Sequence, residues 1–381
     1  MSITGSPHIV MLNKCYPPWV GGIERHVADL SKALVKRGWR VTALVVNDQR
    51  HETHERINGV EVIRTSRLGN VLSQPITRRY FVRLRELQPD LVHVHVPYPL
   101  GWLTADRLHS QTPVVATWHS DIIRQRWLMP LLRPFEKRFL QRCQRVIATS
   151  QPLVQNSHSL KKYQDRCRVI PLGLPPDSQA PKAEIASCRA QIEERYPQPR
   201  LLFVGRLVGY KGLPFLLAAM RAIEATLLIA GDGPERGRLQ DQCQQAGLED
   251  KVYFLGRVDE SMKQALYRSA DLFVLPSITA NEAFGYVLLE AMREGCPLIT
   301  TDLPTGVRFV NQDQQTGLVV SPGDAPALEQ AIKRLLGDDA LRQQMGTKAK
   351  QRFDATFNFD GLIDAHEALY REVLAESGSG G

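Results

Sequence analysis

Two acidic side chains stand eight positions apart in the segment NEAFGYVLLEAMREGCPLIT, residues 281–300. Eight positions are a little over two helical turns. A helix that begins near Gly285 would therefore turn the carboxylates of Glu282 and Glu290 toward one end and one face. The alternative interpretation is an amphipathic helix with an acidic cap and one solvated glutamate.

The same segment can offer backbone donors to an anion. It follows the apolar run LFVLPS (272–277), which reads as a strand, and α/β folds place ligands where a strand passes into a helix. With Asn281 or Glu282 as the cap, the N–H groups from Phe284 to Val287 would face an anion at the helix start.

Two cations occupy the end of another predicted strand. In VGRLVGYKGLPFLLAAM (204–220), Gly205 ends the strand, and Arg206 and Lys211 precede a helix. An arginine fork and a lysine point charge on one loop suit a diphosphate. The spacing is not that of a Walker loop, and two solvated loop cations are the alternative.

Two further strand ends lie in the first half of the chain. Gly21 and Gly22 separate the first strand from the first helix, where glycine lets a ligand approach the backbone closely; a plain turn explains them equally well. His119 leaves the predicted sheet in the sequence TWHSD, beside Ser120 and Asp121. A single histidine at a strand end can be structural or can face a ligand.

The sequence lacks the residue patterns that several classes of functional site require. The sequence contains no Asp-x-Asp pair, so it lacks the two-carboxylate grip on a divalent ion that nucleotide-sugar enzymes often use. The six cysteines are too scattered for a zinc site or a disulfide framework. No Gly-x-Gly-x-x-Gly follows the first strand, which argues against a dinucleotide dehydrogenase. We therefore expect neither a metal ion nor a bound cofactor.

The elements that must position these residues follow a βαβ rhythm throughout the chain, which predicts an α/β fold of parallel sheets with helices on both faces. The predicted strands of the first half are 8–12, 40–46, 60–64, 91–96, 113–118, 145–150 and 167–173. Those of the second half are 201–205, 226–231, 252–256, 272–277, 297–301 and 317–322. We expect two doubly wound, Rossmann-like domains that face a central cleft.

The domain boundaries follow from where this rhythm stops. We predict a first domain over 1–175, a linker over the polar, proline-bearing stretch 176–199, and a second domain over 200–357. A helix over about 358–376 is expected to return to the first domain. The last residues, 377–381, are predicted to be a flexible tail.

Composition places the chain among ordinary globular proteins. Of 381 residues, 43% are hydrophobic and 23% charged, which excludes collagen, coiled coil and wholesale disorder. We find neither a run of about 20 apolar residues nor a secretory signal, so a cytoplasmic location is expected. The net charge of +8 favours an anionic partner, and we expect no nucleic acid among the partners.

One segment, 124–145, combines cations with large apolar side chains. It carries seven basic residues against the single acid Glu136, with Trp127, Leu131 and Phe135 among its apolar residues. Such a helix can lie on an anionic membrane surface, which would make the protein peripheral on the inner face of the cytoplasmic membrane. A core helix with a solvated basic face is the alternative.

Five of these motifs occur in one order over nearly the whole chain. They are GGIE (21–24), TWHSD (117–121), GRLVGYKG (205–212), GDGPE (231–235) and NEAFGYVLLE (281–290). Together they resemble the retaining glycosyltransferases of family 4, which have the GT-B fold. The resemblance implies a nucleotide-sugar donor held mainly by the second domain and an acceptor held mainly by the first.

The resemblance also implies roles for individual residues. Arg206 and Lys211 would neutralise the leaving diphosphate in place of a metal ion, Glu282 would sit beside the donor sugar, and His119 would contact that sugar near the reacting centre. Gly22 would approach the diphosphate, Glu290 would bind the ribose hydroxyls, and Arg257 and Val258 would lie near the base. The donor-binding positions implied in this way are Gly21, Gly22, Arg257, Val258, Ala283, Phe284, Gly285, Tyr286, Val287 and Glu290.

The donor is expected to be a GDP-sugar. The stretch LPTGVRFVNQDQQTGLVV (303–320) resembles that of mannosyltransferases of bacterial polysaccharide and lipopolysaccharide assembly, although Pro304 and Arg308 leave room for a UDP-hexose. The implied acceptor is a glycan or a polyprenyl-linked saccharide. No carboxylate is clearly placed as a covalent nucleophile, so we expect a front-face reaction in which the leaving phosphate helps to deprotonate the acceptor.

Two other functions remain open on sequence grounds. A nucleotide-sugar isomerase of GT-B-like fold would convert the donor without a second substrate. A non-catalytic sensor would bind it without turnover, although a sensor could dispense with part of the set His119, Arg206, Lys211, Glu282 and Glu290.

Overall fold

The structure is a computed structural model, and it describes residues 6–19, 21–71, 74–108, 111–122, 127, 129–176 and 180–378. The chain forms two compact units. The first unit comprises Met1–Leu172 and Asp360–Gly381, and the second comprises Gly173–Phe359.

The strands of the described residues form one large sheet in each unit and a small hairpin. They are β1 His8–Leu12, β2 Arg40–Val46, β3 Thr53–Ile57, β4 Val60–Thr65, β5 Gly69–Val71, β6 Gln74–Ile76, β7 Leu91–Val96, β8 Val114–Trp118, β9 Arg145–Ala148, β10 Cys167–Val169, β11 Arg200–Val204, β12 Thr226–Ala230, β13 Val252–Gly256, β14 Leu272–Leu275, β15 Leu298–Thr301 and β16 Gly317–Val320.

The α-helices of the same residues connect these strands. They are α1 Gly22–Lys36, α2 Arg79–Leu87, α3 Pro99–Asp106, α4 Met129–Arg142, α5 Gln151–Asn156, α6 Lys182–Arg195, α7 Leu213–Met220, α8 Arg236–Gln245, α9 Glu260–Ser269, α10 Tyr286–Arg293, α11 Gly306–Val310, α12 Ala325–Leu336, α13 Asp339–Thr356 and α14 Phe359–Gly378. No helix in the described part of the chain has the length and apolar character needed to cross a membrane.

The sheet of the first unit has the order β10-β9-β8-β7-β1-β2-β4-β3. Its strands are parallel except that β3 runs antiparallel to β4. Strands such as β1 and β7 are buried along their whole length, because helices cover both faces of a parallel sheet, and β7 carries two histidines among its apolar residues. The strand order reverses between β1 and β7, which are neighbours.

The sheet of the second unit is parallel throughout and has the order β13-β12-β11-β14-β15-β16. Numbered within this unit, the order is 3-2-1-4-5-6, that of a Rossmann fold. The predicted α/β class with two doubly wound sheets is confirmed.

The helix α6 occupies most of the stretch 176–199 that was predicted to be a linker, and this stretch belongs to the second unit. Ile185 and Ile192 lie seven residues apart on one face of α6 and are buried. Ser261 at the start of α9 donates a hydrogen bond of 2.9 Å to Glu184 of α6. The prolines that suggested a linker flank the helix, where their missing N–H is tolerated.

The last helix, α14, packs on the first unit. Glu367 accepts hydrogen bonds from the indole of Trp39 at 2.9 Å and from Arg37 at 3.0 Å. Arg145 pairs with Glu372 and Glu376 at 2.5 Å each. The helix runs through Gly378, so the first two residues of the predicted tail are helical; residues 379–381 lie outside the described part.

Candidate active site

The predicted cation loop and the predicted acidic segment follow neighbouring strands of the second unit. Arg206 and Lys211 come after β11, and Glu282 comes after β14. These two strands pair in parallel at the point where the strand order reverses. In open parallel sheets, ligands bind at this point, outside the carboxyl ends of the strands.

The structure brings Lys211 and Glu282 together. The lysine Nζ lies 2.5 Å from the glutamate Oε2, and the two side chains are only 8% and 9% exposed. The Ser277 hydroxyl donates to the same oxygen at 2.9 Å. The lysine charge is therefore compensated by a carboxylate inside the protein. Sequence reasoning missed Ser277; its position as a polar residue at the strand end, five before Glu282, was the available signal.

Gly212 holds the two loops against each other. Its backbone is left-handed, with φ at +71°, and an added Cβ would lie 1.9 Å from the Pro276 carbonyl oxygen. The N–H of Ile278 also donates to the Tyr210 carbonyl at 2.8 Å. A residue with a side chain cannot occupy position 212 without separating the loops that carry Lys211 and Glu282.

Arg206 remains exposed, and its guanidinium contacts no acceptor among the described residues. Its loop packs against the GDGPE segment, where Leu207 exchanges backbone hydrogen bonds with Asp232 and Glu235 at 3.0 and 3.1 Å. An added Cβ on Gly233 would meet the Leu207 carbonyl at 2.3 Å. The glycine spacing there is explained by close backbone packing and needs no dinucleotide.

The segment 283–287 forms the start of α10. Gly285 is the cap, in a left-handed conformation with φ at +80°. The Ala283 carbonyl accepts from the Gly306 N–H at 2.8 Å, and Phe284 is buried with its ring edge-on to Phe357. The Tyr286 hydroxyl donates to the Gly173 carbonyl at 2.8 Å. Part of this segment thus builds the fold, while the first turn of α10 leaves N–H groups, including that of Val287, without intrahelical acceptors.

Glu282 and Glu290, expected to point toward one end and one face of a helix, are held by different partners. Glu290 is buried, and its two oxygens accept from Lys263 Nζ and from the Tyr267 hydroxyl, each at 2.9 Å. Both partners come from α9, and neither contacts Glu282. The spacing failed because Glu282 precedes the helix, so helical periodicity does not relate the two side chains. The role of Glu290 toward a ribose stays a prediction.

Arg257 and Val258, predicted to lie near the base, follow β13. Arg257 is exposed and Val258 is half-buried. The next residue, Asp259, caps α9 by accepting from the Met262 N–H at 2.8 Å. The two residues therefore occupy a strand end beside a firmly capped helix.

Asn311, in the stretch that suggested a GDP-sugar, is fully buried and bound to the fold. Its amide nitrogen donates to Thr300 Oγ1 at 2.9 Å and to the Leu318 carbonyl at 3.1 Å, and its oxygen accepts from Thr316 at 2.8 Å. It ties β15 and β16 to the loop after α11. Its contacts are structural.

His119 of the first unit lies at the end of β8 inside a group of buried histidines. Its Nε2 is 3.2 Å from His95 Nδ1, and its ring centroid is 5.5 Å from that of His26. His93 lies beside His95 and is bonded to the Tyr370 hydroxyl of α14 at 2.7 Å. We call these five residues the histidine cluster: His26, His93, His95, His119 and His366.

Burial determines the charge state of the histidine cluster. Loss of solvation lowers the pKa of His119 to about 3 and that of His366 to about 4. The same cause, with repulsion from neighbouring imidazoles, holds the pKa values of His26, His93 and His95 well below their ordinary range. The rings are therefore neutral at physiological pH. Sequence reasoning singled out only His119, although the alternation His-Val-His in β7 was a signal that His93 and His95 lie on the same side of a buried strand.

Three members of the histidine cluster also meet the spacing of a metal site. One ring nitrogen from each of His26, His95 and His119 lies within 4.8 Å of the other two. Neutral imidazole is a common ligand of divalent transition metals. The expectation of no metal therefore requires a direct test.

The two glycines after β1, Gly21 and Gly22, have different surroundings. An added Cβ on Gly21 would meet the Glu24 carboxylate at 2.0 Å, whereas Gly22 has open space around it. Burial raises the pKa of Glu24, which covers the start of α1. Gly22 is thus open to a ligand, and Gly21 is already covered by an acidic side chain.

The basic segment exposes apolar side chains as well as cations. Trp127 is 69% exposed, Leu131 68% and Phe135 45%. Leu131 and Phe135 lie four residues apart on one side of α4, and Trp127 precedes this helix. Arg138 pairs with Asp106 at 2.8 Å, whereas Arg133 and Lys137 are exposed without acceptors among the described residues. Arg124, Arg126 and Leu128 lie outside the described residues. The helix α4 also buries Phe139 and Leu140 in the core of the first unit, as the core-helix interpretation expects, so contact with a membrane stays a prediction.

Two family models match the chain. Residues 20–178 match "Glycosyltransferase Family 4", and residues 185–352 match "Glycosyl transferases group 1". The O-antigen chain mannosyltransferase C of Escherichia coli is 33% identical over 94% of this chain and 96% of its own length. The D-rhamnosyltransferase WbpZ of Pseudomonas aeruginosa is 34% identical over 89% and 88%.

Solved structures with the same fold cover almost the whole chain. A sucrose-phosphate synthase from Thermosynechococcus elongatus aligns with a TM-score of 0.79 and 26% identity, covering 97% of this chain and all of its own. Anabaena HepE in complex with UDP aligns with a TM-score of 0.78 at 19% identity, covering 96% and 100%, which shows the fold alone. The chain therefore belongs to glycosyltransferase family 4 and has the GT-B fold of these enzymes.

Proposed function

We propose that this protein is a retaining hexosyltransferase. It moves an α-mannosyl or related sugar from a GDP-sugar to a glycan or polyprenyl-linked saccharide in bacterial polysaccharide or lipopolysaccharide assembly. The observation that carries the proposal is the buried Lys211–Glu282 pair at the point of strand reversal in the second unit. The names of the two relatives, a mannosyltransferase and a rhamnosyltransferase, support a sugar of this type.

The ion pair can serve a leaving diphosphate and a sugar together. An ammonium group has three donors, and Glu282 uses one of those on Lys211, so two remain for phosphate oxygens. Arg206 adds an exposed guanidinium on the same loop. Fixed cations stabilise the charge that grows on the diphosphate as the glycosidic bond breaks. Under this proposal they replace a divalent metal ion.

His119 acts in this proposal as a neutral hydrogen-bonding group. With a pKa of about 3 it stays uncharged at neutral pH. A general acid or base works best with a pKa near the working pH, so His119 is suited to orienting a sugar hydroxyl and not to proton transfer.

We propose that the anomeric configuration is retained because the acceptor attacks from the same face of the sugar that the diphosphate leaves. A covalent route needs a carboxylate that attacks the anomeric carbon from the face opposite the diphosphate, whereas Glu282 is held beside Lys211, the cation proposed to bind that diphosphate. The leaving phosphate would instead take the proton of the acceptor hydroxyl. Mass spectrometry of enzyme quenched during turnover tests this, because a trapped glycosyl-enzyme would refute the one-face route.

The donor is tested by thermal unfolding with GDP, UDP, ADP and their hexose conjugates, each with and without EDTA. A ligand at about 100 times its Kd stabilises the folded state by roughly 2.7 kcal/mol. We expect GDP compounds to raise the melting temperature and EDTA to change nothing. A shift with UDP compounds alone would replace GDP in the proposal, and a shift abolished by EDTA would refute metal independence and implicate the three-histidine site.

We further propose that the exposed apolar side chains of Trp127, Leu131 and Phe135 rest on an anionic membrane surface. Burial of an exposed apolar side chain contributes on the order of 1.5–3 kcal/mol, and each nearby cation contributes about 1 kcal/mol. Sedimentation with phosphatidylglycerol vesicles should be lost in Leu131→Glu and unchanged in Val82→Glu, a matched change at a 51% exposed site on α2. Equal sedimentation of both variants would remove this proposal.

A further inference from the structure

A cavity lies in the first unit, lined by residues that the proposed function does not use. Its volume is about 270 Å³, and it is lined by the loop after β1 and the residues at and after the end of β2, with Thr53 and Glu55 of β3 and Arg64 of β4. Its lining includes Trp19, Asn47, Asp48, His51, Glu55 and Arg64. This volume is slightly below the roughly 300 Å³ at which ligand pockets begin, so the cavity has room only for a small group of one or two rings.

The wall that carries Trp19 is rigidly held. Arg64 is only 7% exposed, and its guanidinium donates to the carbonyls of Tyr16, at 3.2 Å, and of Pro17. Its Nε donates to Glu55 at 2.5 Å. Two N–H groups of Arg64 thus fix the loop 16–19 and a third fixes Glu55, so the cavity wall exists before any ligand arrives.

The opposite wall is fixed in the same manner. Asn47 donates to the His51 carbonyl at 2.8 Å and accepts from the Gln49 N–H at 3.2 Å. The side chain of Asp48, between them, is exposed and makes no hydrogen bond or ion pair with any described residue. A free carboxylate therefore stands on a rigid loop.

The chemistry of the lining points to a neutral polyhydroxylated ligand. Trp19 is 48% exposed, and an indole offers a broad apolar face to the C–H face of a sugar ring. Because Arg64 is paired with Glu55, Asp48 leaves the cavity with an uncompensated negative charge. That charge repels phosphates and favours hydroxyl donors, which hydrogen-bond strongly to a carboxylate.

The cavity is displaced from His119 along the edge of the sheet. His119 follows β8 and the cavity follows β2, and β7 and β1 lie between these two strands. The carboxyl ends of all four strands share this edge. At about 4.8 Å per strand, the end of β2 lies roughly 14 Å from the end of β8. This distance exceeds the width of a single hexose ring, so a sugar in the cavity is not the sugar that reacts beside His119.

We infer that this cavity is a binding subsite for a sugar unit of the acceptor away from the reacting one, with Trp19 as its stacking platform and Asp48 as its hydrogen-bond acceptor. The inference rests on the proposed transferase function, since it takes His119 as the marker of the reacting end. It implies that oligosaccharide acceptors bind better than a monosaccharide.

The test is a ladder of α-linked manno-oligosaccharides, from mannose to mannotetraose, titrated against the full-length protein by calorimetry. We expect binding to tighten by tenfold or more with chain length in the wild type. Trp19→Ala and Asp48→Asn should each abolish that gain, and Trp19→Phe should keep most of it. Val82→Ala, which shortens an exposed apolar side chain on α2 of the same unit, should behave as the wild type.

The outcomes separate this inference from the proposed function. Unchanged binding by both cavity variants, or no binding of any saccharide by the wild type, overturns the subsite. Donor binding is measured on the same variants by the thermal shift with GDP-sugars. If the cavity variants lose the length dependence while the wild type shows no transfer, the subsite stands and the proposed function fails. If the wild type transfers sugar and both cavity variants keep the wild-type length dependence, the proposed function stands and the subsite fails.

Discussion

The buried histidine cluster makes the first unit sensitive to mild acid. Its five imidazoles are neutral in the folded protein, because burial lowers their pKa values, to about 3 for His119 and about 4 for His366. In the unfolded chain, each returns to an ordinary pKa of about 6.5. As the pH falls through 6.5, the unfolded state binds protons that the folded state does not, so stability is lost on acidification.

The size of this effect follows from the linkage relation. Between pH 7 and pH 5, a histidine that titrates only in the unfolded state lowers the free energy of unfolding by about 2 kcal/mol. The other four imidazoles act with the same sign, whereas the raised pKa values of Glu24 and Asp29 act against it. The whole stability of a domain is about 5–15 kcal/mol, so the first unit should be strongly destabilised near pH 5.

Tryptophan fluorescence can follow this transition in the intact chain. The protein has five tryptophans, Trp19, Trp39, Trp102, Trp118 and Trp127, and all belong to the first unit. Urea unfolding monitored by their emission at pH 7, 6 and 5 gives the free energy of unfolding of that unit at each pH. We expect the urea midpoint to fall steeply with pH.

A single substitution checks that the histidine cluster is the cause. His366→Phe keeps an aromatic ring in contact with His26 and Tyr370 but removes one titrating group, so the loss between pH 7 and pH 5 should shrink by about 2 kcal/mol. The control His158→Gln changes an exposed histidine and should leave the pH dependence as it is. A stability that stays constant from pH 7 to pH 5 in the wild type would refute the reasoning.

Three further predictions concern the second unit. Lys211→Ala should lower kcat/KM by about 10²–10³, as loss of other oxyanion-stabilising groups does. The double variant Lys211→Met, Glu282→Leu should recover the stability that Lys211→Ala loses but should stay inactive, because apolar residues replace the buried ion pair. Transfer assays and urea unfolding measure these effects, and near-normal turnover of either variant would contradict the proposed role of Lys211. Asn311→Ala should cost about 1–3 kcal/mol of stability, because it removes the buried amide that bonds Thr300, Thr316 and the Leu318 carbonyl, yet it should not change which nucleotide binds; a switch in nucleotide preference would show a direct role in donor recognition. Gly212→Ala should destabilise the second unit by at least about 1–2 kcal/mol and reduce donor binding, measured by calorimetry with the donor, whereas Gly209→Ala, at a position with open space, is the matched control; equal stability of the two variants would contradict the role of close packing at Gly212.

Local pattern in the sequence was sufficient for most of the elements. The apolar run 201–205 becomes β11 and the run 8–12 becomes β1, because a strand covered on both faces must be apolar along its length. The stretch 176–199 was misread for a related reason. Its helix α6 buries only Ile185 and Ile192, so its sequence is polar enough to look like a linker.

The candidate site was found in the sequence, but its internal contacts were not. Lys211 and Glu282 are 71 residues apart, and they meet because the strand order places β14 beside β11. Helical spacing related Glu282 to Glu290 instead, as two carboxylates on one face of a helix. Spacing describes neighbours along one helix, and it carries no information about a side chain that arrives from another strand.

The amino-acid sequence by itself determined the α/β class, the family and the residues that could bind a diphosphate, because these depend on patterns within short segments. Only the tertiary structure decided which charges are compensated and which imidazoles are neutral. His26, His95 and His119 come from three separate elements, and α14 adds His366 from the far end of the chain. Charge state depends on burial and on distance through space, and both are set when the elements pack.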